Sequence, residues 1–242
     1  MALASRALTA RVIEGNRLQL DFQARELTIK LVYYGPALSG KTTNLQAVHR
    51  LLSPDGRGRL MTLETRDDRT LFFDLLPLSI ATDSGLTVRI KLFTVPGQVI
   101  HNSTRRLVLQ GADGVAFIAD SQLNEVRANQ ASYKDLRKNL RENGIDPANM
   151  PVVIQYNKRD LPNIRSDAEI ARMASLGRER TYLATAMHGN GVMETFIGLI
   201  EAAWENLEQQ HGLRQRFGVY VEQVVGDLQQ RIAKPVEAPR HG

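Results

Sequence analysis

Leu27-Thr28-Ile29-Lys30-Leu31-Val32-Tyr33-Tyr34-Gly35-Pro36-Ala37-Leu38-Ser39-Gly40-Lys41-Thr42 is the stretch that decides the fold. Its first eight residues are rich in β-branched and aromatic side chains and read as a strand, and Lys41 to Leu52 reads as a helix. Between them stands Gly-x-x-x-x-Gly-Lys-Thr. Two glycines let the backbone wrap an anion with its N–H groups pointing inward, and the helix start adds a partial positive charge. Gly35, Ala37, Leu38, Ser39, Gly40, Lys41, Thr42 and Thr43 are therefore candidate phosphate contacts. Lys41 is placed to reach β- and γ-phosphates, and the Thr42 hydroxyl is a candidate Mg²⁺ ligand. Without its flanking strand and helix, the same pattern would be an ordinary Gly/Ser turn.

Working outward, Leu8-Thr9-Ala10-Arg11-Val12-Ile13 and Arg17-Leu18-Gln19-Leu20-Asp21-Phe22 read as two strands around the turn Glu14-Gly15-Asn16. Beyond the loop 53–58, the runs 71–80 and 87–95 flank the turn signal Thr82-Asp83-Ser84-Gly85, which predicts an antiparallel hairpin. Gly114-Val115-Ala116-Phe117-Ile118-Ala119 and Pro151-Val152-Val153-Ile154-Gln155-Tyr156 are short apolar runs, as in strands buried on both faces. Helices are predicted over 122–143, 166–176 and 191–208, with a strand at 181–184. Strands alternating with helices imply an α/β fold: a mostly parallel sheet with one antiparallel edge strand and helices on both faces. In the tail, Val221, Val224, Val225, Leu228 and Ile232 form one helical stripe ended by Pro235. The expected organisation is an N-terminal β extension (1–26), a core domain (27–208) and a C-terminal helical extension (209–242).

The 242 residues are 43% hydrophobic and 24% charged, ordinary values for a soluble globular protein. With no cysteine, disulfide and thiolate chemistry are excluded. The net charge of +5 comes without a Lys/Arg stripe interleaved with aromatics, so nucleic acid is not an expected partner. No signal-peptide core or membrane-spanning run is present, which points to the cytoplasm. Ala2, and the ending Pro239-Arg240-His241-Gly242, give the expectation of no lipid anchor.

Three more motifs follow in order. Asn157-Lys158-Arg159-Asp160 comes directly after a buried strand, where ligands bind in doubly wound sheets. The Asp160 carboxylate can accept from guanine N1–H and N2–H₂, which adenine does not offer. Asn157 can support the purine edge, and the Lys158 stem can cover the ring. Val95-Pro96-Gly97-Gln98 ends another strand. Gly97 permits close backbone approach to a γ-phosphate, and Gln98 is placed to orient a hydrolytic water. Ala184-Thr185-Ala186-Met187 follows the last strand, where the Ala186 N–H, beside Met187, can meet guanine O6. Each of these alone would be a plain turn; their order after a phosphate loop selects GTP/GDP over ATP.

Together these stretches resemble the Ras-like small GTPases (P-loop small GTPase fold). Val32-Tyr33-Tyr34-Gly35-Pro36, Asp68-Arg69-Thr70-Leu71-Phe72-Phe73-Asp74, Thr94-Val95-Pro96-Gly97-Gln98 and Val153-Ile154-Gln155-Tyr156-Asn157-Lys158-Arg159-Asp160 are similar to the bacterial MglA branch, the polarity GTPases of surface motility. The resemblance runs from about Leu27 to Glu208. It implies that Thr70 senses γ-phosphate and Mg²⁺, and that Arg69 is an arginine finger supplied in cis. On residue chemistry alone, Arg69 would be a solvated loop arginine. The resemblance also implies an MglB-like Roadblock/LC7 homodimer as activating partner, polarity or motility effectors for the GTP state, and recruitment to cell poles by partners.

Three departures from that family shape the expectation. Ala37 stands where Gly is usual beside the γ-phosphate, and its methyl would crowd Gln98 or Arg69, so intrinsic hydrolysis is expected to be slow and partner-stimulated. Ser39 replaces a small residue often seen as Cys. Both extensions lie beyond the family core. Thr94 takes the place of the acidic residue that secures Mg²⁺ in most P-loop enzymes, a feature shared within the branch. The leading expectation is a GTP-hydrolysing switch. The alternatives are a hydrolysis-poor GTP-binding module held in one state, and an ATPase or nucleotide kinase, against which Asp160 argues.

Overall fold

Along Glu26–Tyr34, successive side chains feed two different cores. Leu27, Ile29, Leu31 and Tyr33 belong to one, Val32 and Tyr34 to the other, all fully buried. This period-two pattern is what a central strand covered on both faces requires. The computed structural model describes residues 19–21, 23–55, 57–63, 73–96 and 102–232. In chain order its strands are β1 (Gln19–Asp21), β2 (Glu26–Tyr34), β3 (Met61–Leu63), β4 (Phe73–Ala81), β5 (Thr87–Thr94), β6 (Gly114–Asp120), β7 (Val152–Asn157) and β8 (Arg180–Leu183). Its helices are α1 (Lys41–Leu51), α2 (Asn102–Leu109), α3 (Val126–Glu142), α4 (Asp167–Leu176), α5 (Val192–His211), α6 (Leu213–Phe217) and α7 (Val221–Arg231).

One sheet runs β3-β4-β5-β2-β6-β7-β8. β5, β2, β6, β7 and β8 are parallel neighbours, and β4 runs antiparallel to β5. The predicted hairpin is therefore present, turning at Gly85 with φ of 73°. β3 pairs outside β4, so the reversed strand is not itself the edge. β1 adds a second antiparallel pairing on the first residues of β2, from Gln19 opposite Thr28 to Asp21 opposite Glu26. The earlier run 8–13 and its turn lie outside the described residues.

Helices α1 and α5 cover one face and α2 and α3 the other. Every residue of β6 is buried, which explains its unbroken apolar run. The strands β4 and β5 alternate instead: Leu76, Leu78, Ile80, Val88, Ile90 and Leu92 face the α1–α5 core, while Ser79 and Arg89 are exposed.

Gly212 and Gly218, both left-handed with φ of 61° and 64°, separate α5, α6 and α7. The tail then folds back on the body. Val224 and Leu228 of α7 are buried in the α1–α5 core, with Val221 and Ile232 packed against it. Arg231 holds the end of the helix. It pairs with Asp227, and its Nη1 donates to the backbone carbonyls of Asp55 (2.9 Å) and Ser79 (3.1 Å). The Arg231 carbonyl accepts from Ser53 N at 2.8 Å. Among the described residues no helix is long and apolar enough to cross a membrane.

Removing the Leu228 side chain should therefore weaken the whole body. Leu228→Ala is expected to cost about 2–4 kcal/mol, the range for a buried leucine, as a single shifted transition in chemical denaturation. An unchanged midpoint would contradict the packing of α7.

Candidate functional site

The site forms where β2, β6, β7 and β8 end. β2 runs into Gly35, whose lack of a side chain lets the loop lie on β6: a Cβ there would stand 2.2 Å from the Ile118 carbonyl oxygen. At the far end of the loop, a Cβ on Gly40 would stand 2.2 Å from Asn157 Nδ2, and Gly40 has φ of 93°. Both glycines are required by close approach. From Gly40, α1 continues, and Asn44 fixes the turn by donating from its backbone (2.9 Å) and side chain (3.0 Å) to the Gly40 carbonyl.

Asn157 joins the loops. Its Nδ2 donates to the Ser39 carbonyl at 2.9 Å, and its Oδ1 accepts from Ala186 N at 2.9 Å. One buried amide thus ties the loop after β2, the end of β7 and the segment after β8. Lys158 turns left-handed, with φ of 65°, an uncommon conformation for a lysine. Its ammonium pairs with Asp120 at 2.6 Å, which ends β6 and is itself buried. Asp160 and Met187 are both exposed.

A cavity of about 380 Å³ opens beside the loop, lined by Leu38, Gly40, Lys41, Thr42 and Thr43 on one side and by Asp74 and Thr94 on the other. Lys41 is 6% exposed. Its ammonium folds back on the loop, donating to the carbonyls of Gly35 (3.1 Å) and Pro36 (2.6 Å). Burial, and secondarily the charge of Arg105, pull its pKa down to about 7. A cation so poorly solvated gains most from an anion beside it. Leu38 is 88% exposed and left-handed, with φ of 61°; Ala37 is also exposed.

The opposite wall holds a residue that sequence reasoning passed over. Asp74, at the start of β4, accepts from the hydroxyls of Thr42 (2.8 Å), Thr94 (3.1 Å) and Thr62 (2.9 Å), and its N–H donates to Thr94 Oγ1 at 3.0 Å. The acidic position missing at Thr94 is thus supplied from the neighbouring antiparallel strand. A carboxylate among hydroxyls is a hard oxygen donor set, which fits Mg²⁺. The signal was present as Asp74 at the end of the block 68–74, but only the β4–β5 register carries it to Thr42. Arg69, Thr70, Gly97 and Gln98 lie outside the described residues.

No protein-family model matches the chain. Two relatives do. The mutual gliding-motility protein MglA of Myxococcus xanthus is 47% identical over 190 residues, which cover 78% of this chain and 97% of that one. The GTPase Der of Mycolicibacterium vanbaalenii is 29% identical over 96 residues, 40% of this chain and 18% of that protein. With nearly the full length of the first relative matched at that identity, on a P-loop sheet of this topology, the chain belongs to the MglA family of small Ras-like GTPases.

Proposed function

We propose that this GTPase is a switch: it orders its nucleotide-sensing segments around GTP to recruit effectors of cell polarity or surface motility, and releases them on hydrolysis. The observation that carries the reading is the joining of phosphate loop and base loop through Asn157, with Lys41 buried at the phosphate end. The relative's name, a gliding-motility protein, suggests the process.

In this reading, Gly35, Ala37, Leu38, Ser39, Gly40 and Thr43 surround the phosphates through the loop. Lys41 leaves the Gly35 and Pro36 carbonyls for the β- and γ-phosphates and becomes fully charged there. Asp160 accepts from the guanine edge, Lys158 covers the ring, and Ala186 beside Met187 meets O6. Thr42, Thr70 and Asp74 are the residues that would hold Mg²⁺, directly or through its waters. When bound, that ion neutralises charge on the β- and γ-oxygens. Gln98 orients water and Gly97 meets the γ-phosphate. Arg69, brought in by an MglB-like Roadblock/LC7 homodimer, stabilises charge on the transferred group. The protein acts in the cytoplasm and reaches cell poles through its partners.

Four substitutions probe this reading. Asp160→Ala should weaken GDP about 10²-fold or more, as two charge-assisted hydrogen bonds are lost, while leaving weak ATP binding unchanged in competition assays. Equal losses for both nucleotides would refute its role in base selection. Asp74→Asn should raise the Mg²⁺ concentration needed to retain nucleotide, read from release rates across a Mg²⁺ titration. A wild-type Mg²⁺ dependence would remove Asp74 from the metal end. Single-turnover phosphate release should be slow for the wild type alone and faster for Ala37→Gly. With the activating partner, Arg69→Ala should lose about 10³-fold or more in rate, and full stimulation of that variant would exclude the finger. If instead the wild type hydrolyses no GTP even with the partner, the chain is a GTP-binding module held in one state.

A further inference from the structure

Arg105 stands on α2, yet it is 3% exposed. Its Nη1 pairs with Asp135 of α3 at 2.6 Å, and its Nε donates to the Pro96 carbonyl at 3.0 Å. The same Asp135 oxygen accepts from Tyr34 Oη, and Asn139 Nδ2 donates to both that oxygen (3.1 Å) and Tyr34 Oη (3.0 Å). The guanidinium also lies 6.0 Å from the centre of the Tyr34 ring. Tyr34 immediately precedes the phosphate loop, and Pro96 lines the phosphate cavity beside Lys41 and Thr42.

Taking a guanidinium out of water to meet one carboxylate is a poor route to stability, because burial costs about as much as the pairing returns. What it provides is position. Proline has no N–H, so its carbonyl is the only backbone hydrogen-bonding group of Pro96, and Arg105 takes that group. Asp135 and Asn139 then anchor the guanidinium to α3 and to the last residue before the loop. The Pro96 wall of the phosphate cavity and Tyr34, the residue before the phosphate loop, are thereby referred to one charge pair whose guanidinium is buried. The charge of Arg105 also weighs on Lys41.

We propose that Arg105, held by Asp135 and Tyr34, is a positioning residue that sets the Pro96 wall of the cavity at the distance a γ-phosphate requires, and so lets the site distinguish GTP from GDP. This rests on the GTPase reading of the same cavity. A purely structural role would weaken both nucleotides alike, whereas a positioning role weakens the one that reaches the Pro96 wall.

The test measures dissociation constants of labelled GDP and of a non-hydrolysable GTP analogue on the full chain. Arg105→Lys and Asp135→Asn should each weaken the GTP analogue relative to GDP about tenfold, the worth of one charge-assisted hydrogen bond. Tyr34→Phe removes a single hydroxyl and keeps the ring, so it reports even if loss of the charge pair unfolds the chain. Its ratio should shift the same way. Arg106→Ala, at an exposed neighbour on the same helix, should leave the ratio at the wild-type value. An unchanged ratio in Tyr34→Phe and in the folded charge variants, or equal weakening of both nucleotides, would overturn the proposal. Wild-type protein that binds neither nucleotide would instead sink the GTPase reading, and the proposal with it.

Discussion

The amide of Asn157 is the interaction on which the rest of the site depends. It occupies the space that a side chain on Gly40 would fill, and it satisfies a carbonyl of one loop and an N–H of another. Buried backbone groups must find partners, and here one side chain supplies two. The loop after β2 and the segments after β7 and β8 are consequently tied together through one side chain. For these three loops, the cost of gathering them is met during folding rather than on binding.

The legible parts of the fold were those whose residues carry their own explanation. β2, β6 and β7 are covered on both faces, so their apolar runs are continuous, and the two loop glycines are demanded by contacts of 2.2 Å. β3 has three residues and α6 has five, too short for any period to register. The case of α2 is more instructive. Its buried side mixes Thr104 and Arg105 with Val108 and Leu109 while Leu107 is 53% exposed, so polar and apolar residues point in together and an apolar one points out. A pattern of hydrophobic spacing is blind to a helix held in part by a buried arginine paired across to the next helix.

Asp74 was illegible for a different reason. Thr42 and Asp74 are 32 residues apart, and nothing local relates them. The antiparallel register that sets Leu75 opposite Phe93 brings Asp74 alongside Thr94, and the sheet then carries both to the end of β2. In the sequence the position of the acidic residue looks empty. In space it is filled from the next strand, which is a statement about pairing rather than about composition.

The grip of Arg231 on the body goes to main-chain oxygens, at Asp55 and Ser79, and its own carbonyl is taken by the main chain of Ser53. Every residue type presents a carbonyl in the same place, so this attachment does not depend on which side chains stand at those positions. Substitutions at positions 53, 55 and 79 that keep the backbone path leave these hydrogen bonds in place. The end of the tail thus depends on the identity of Arg231 but not on the identity of the residues at 53, 55 and 79 that receive it.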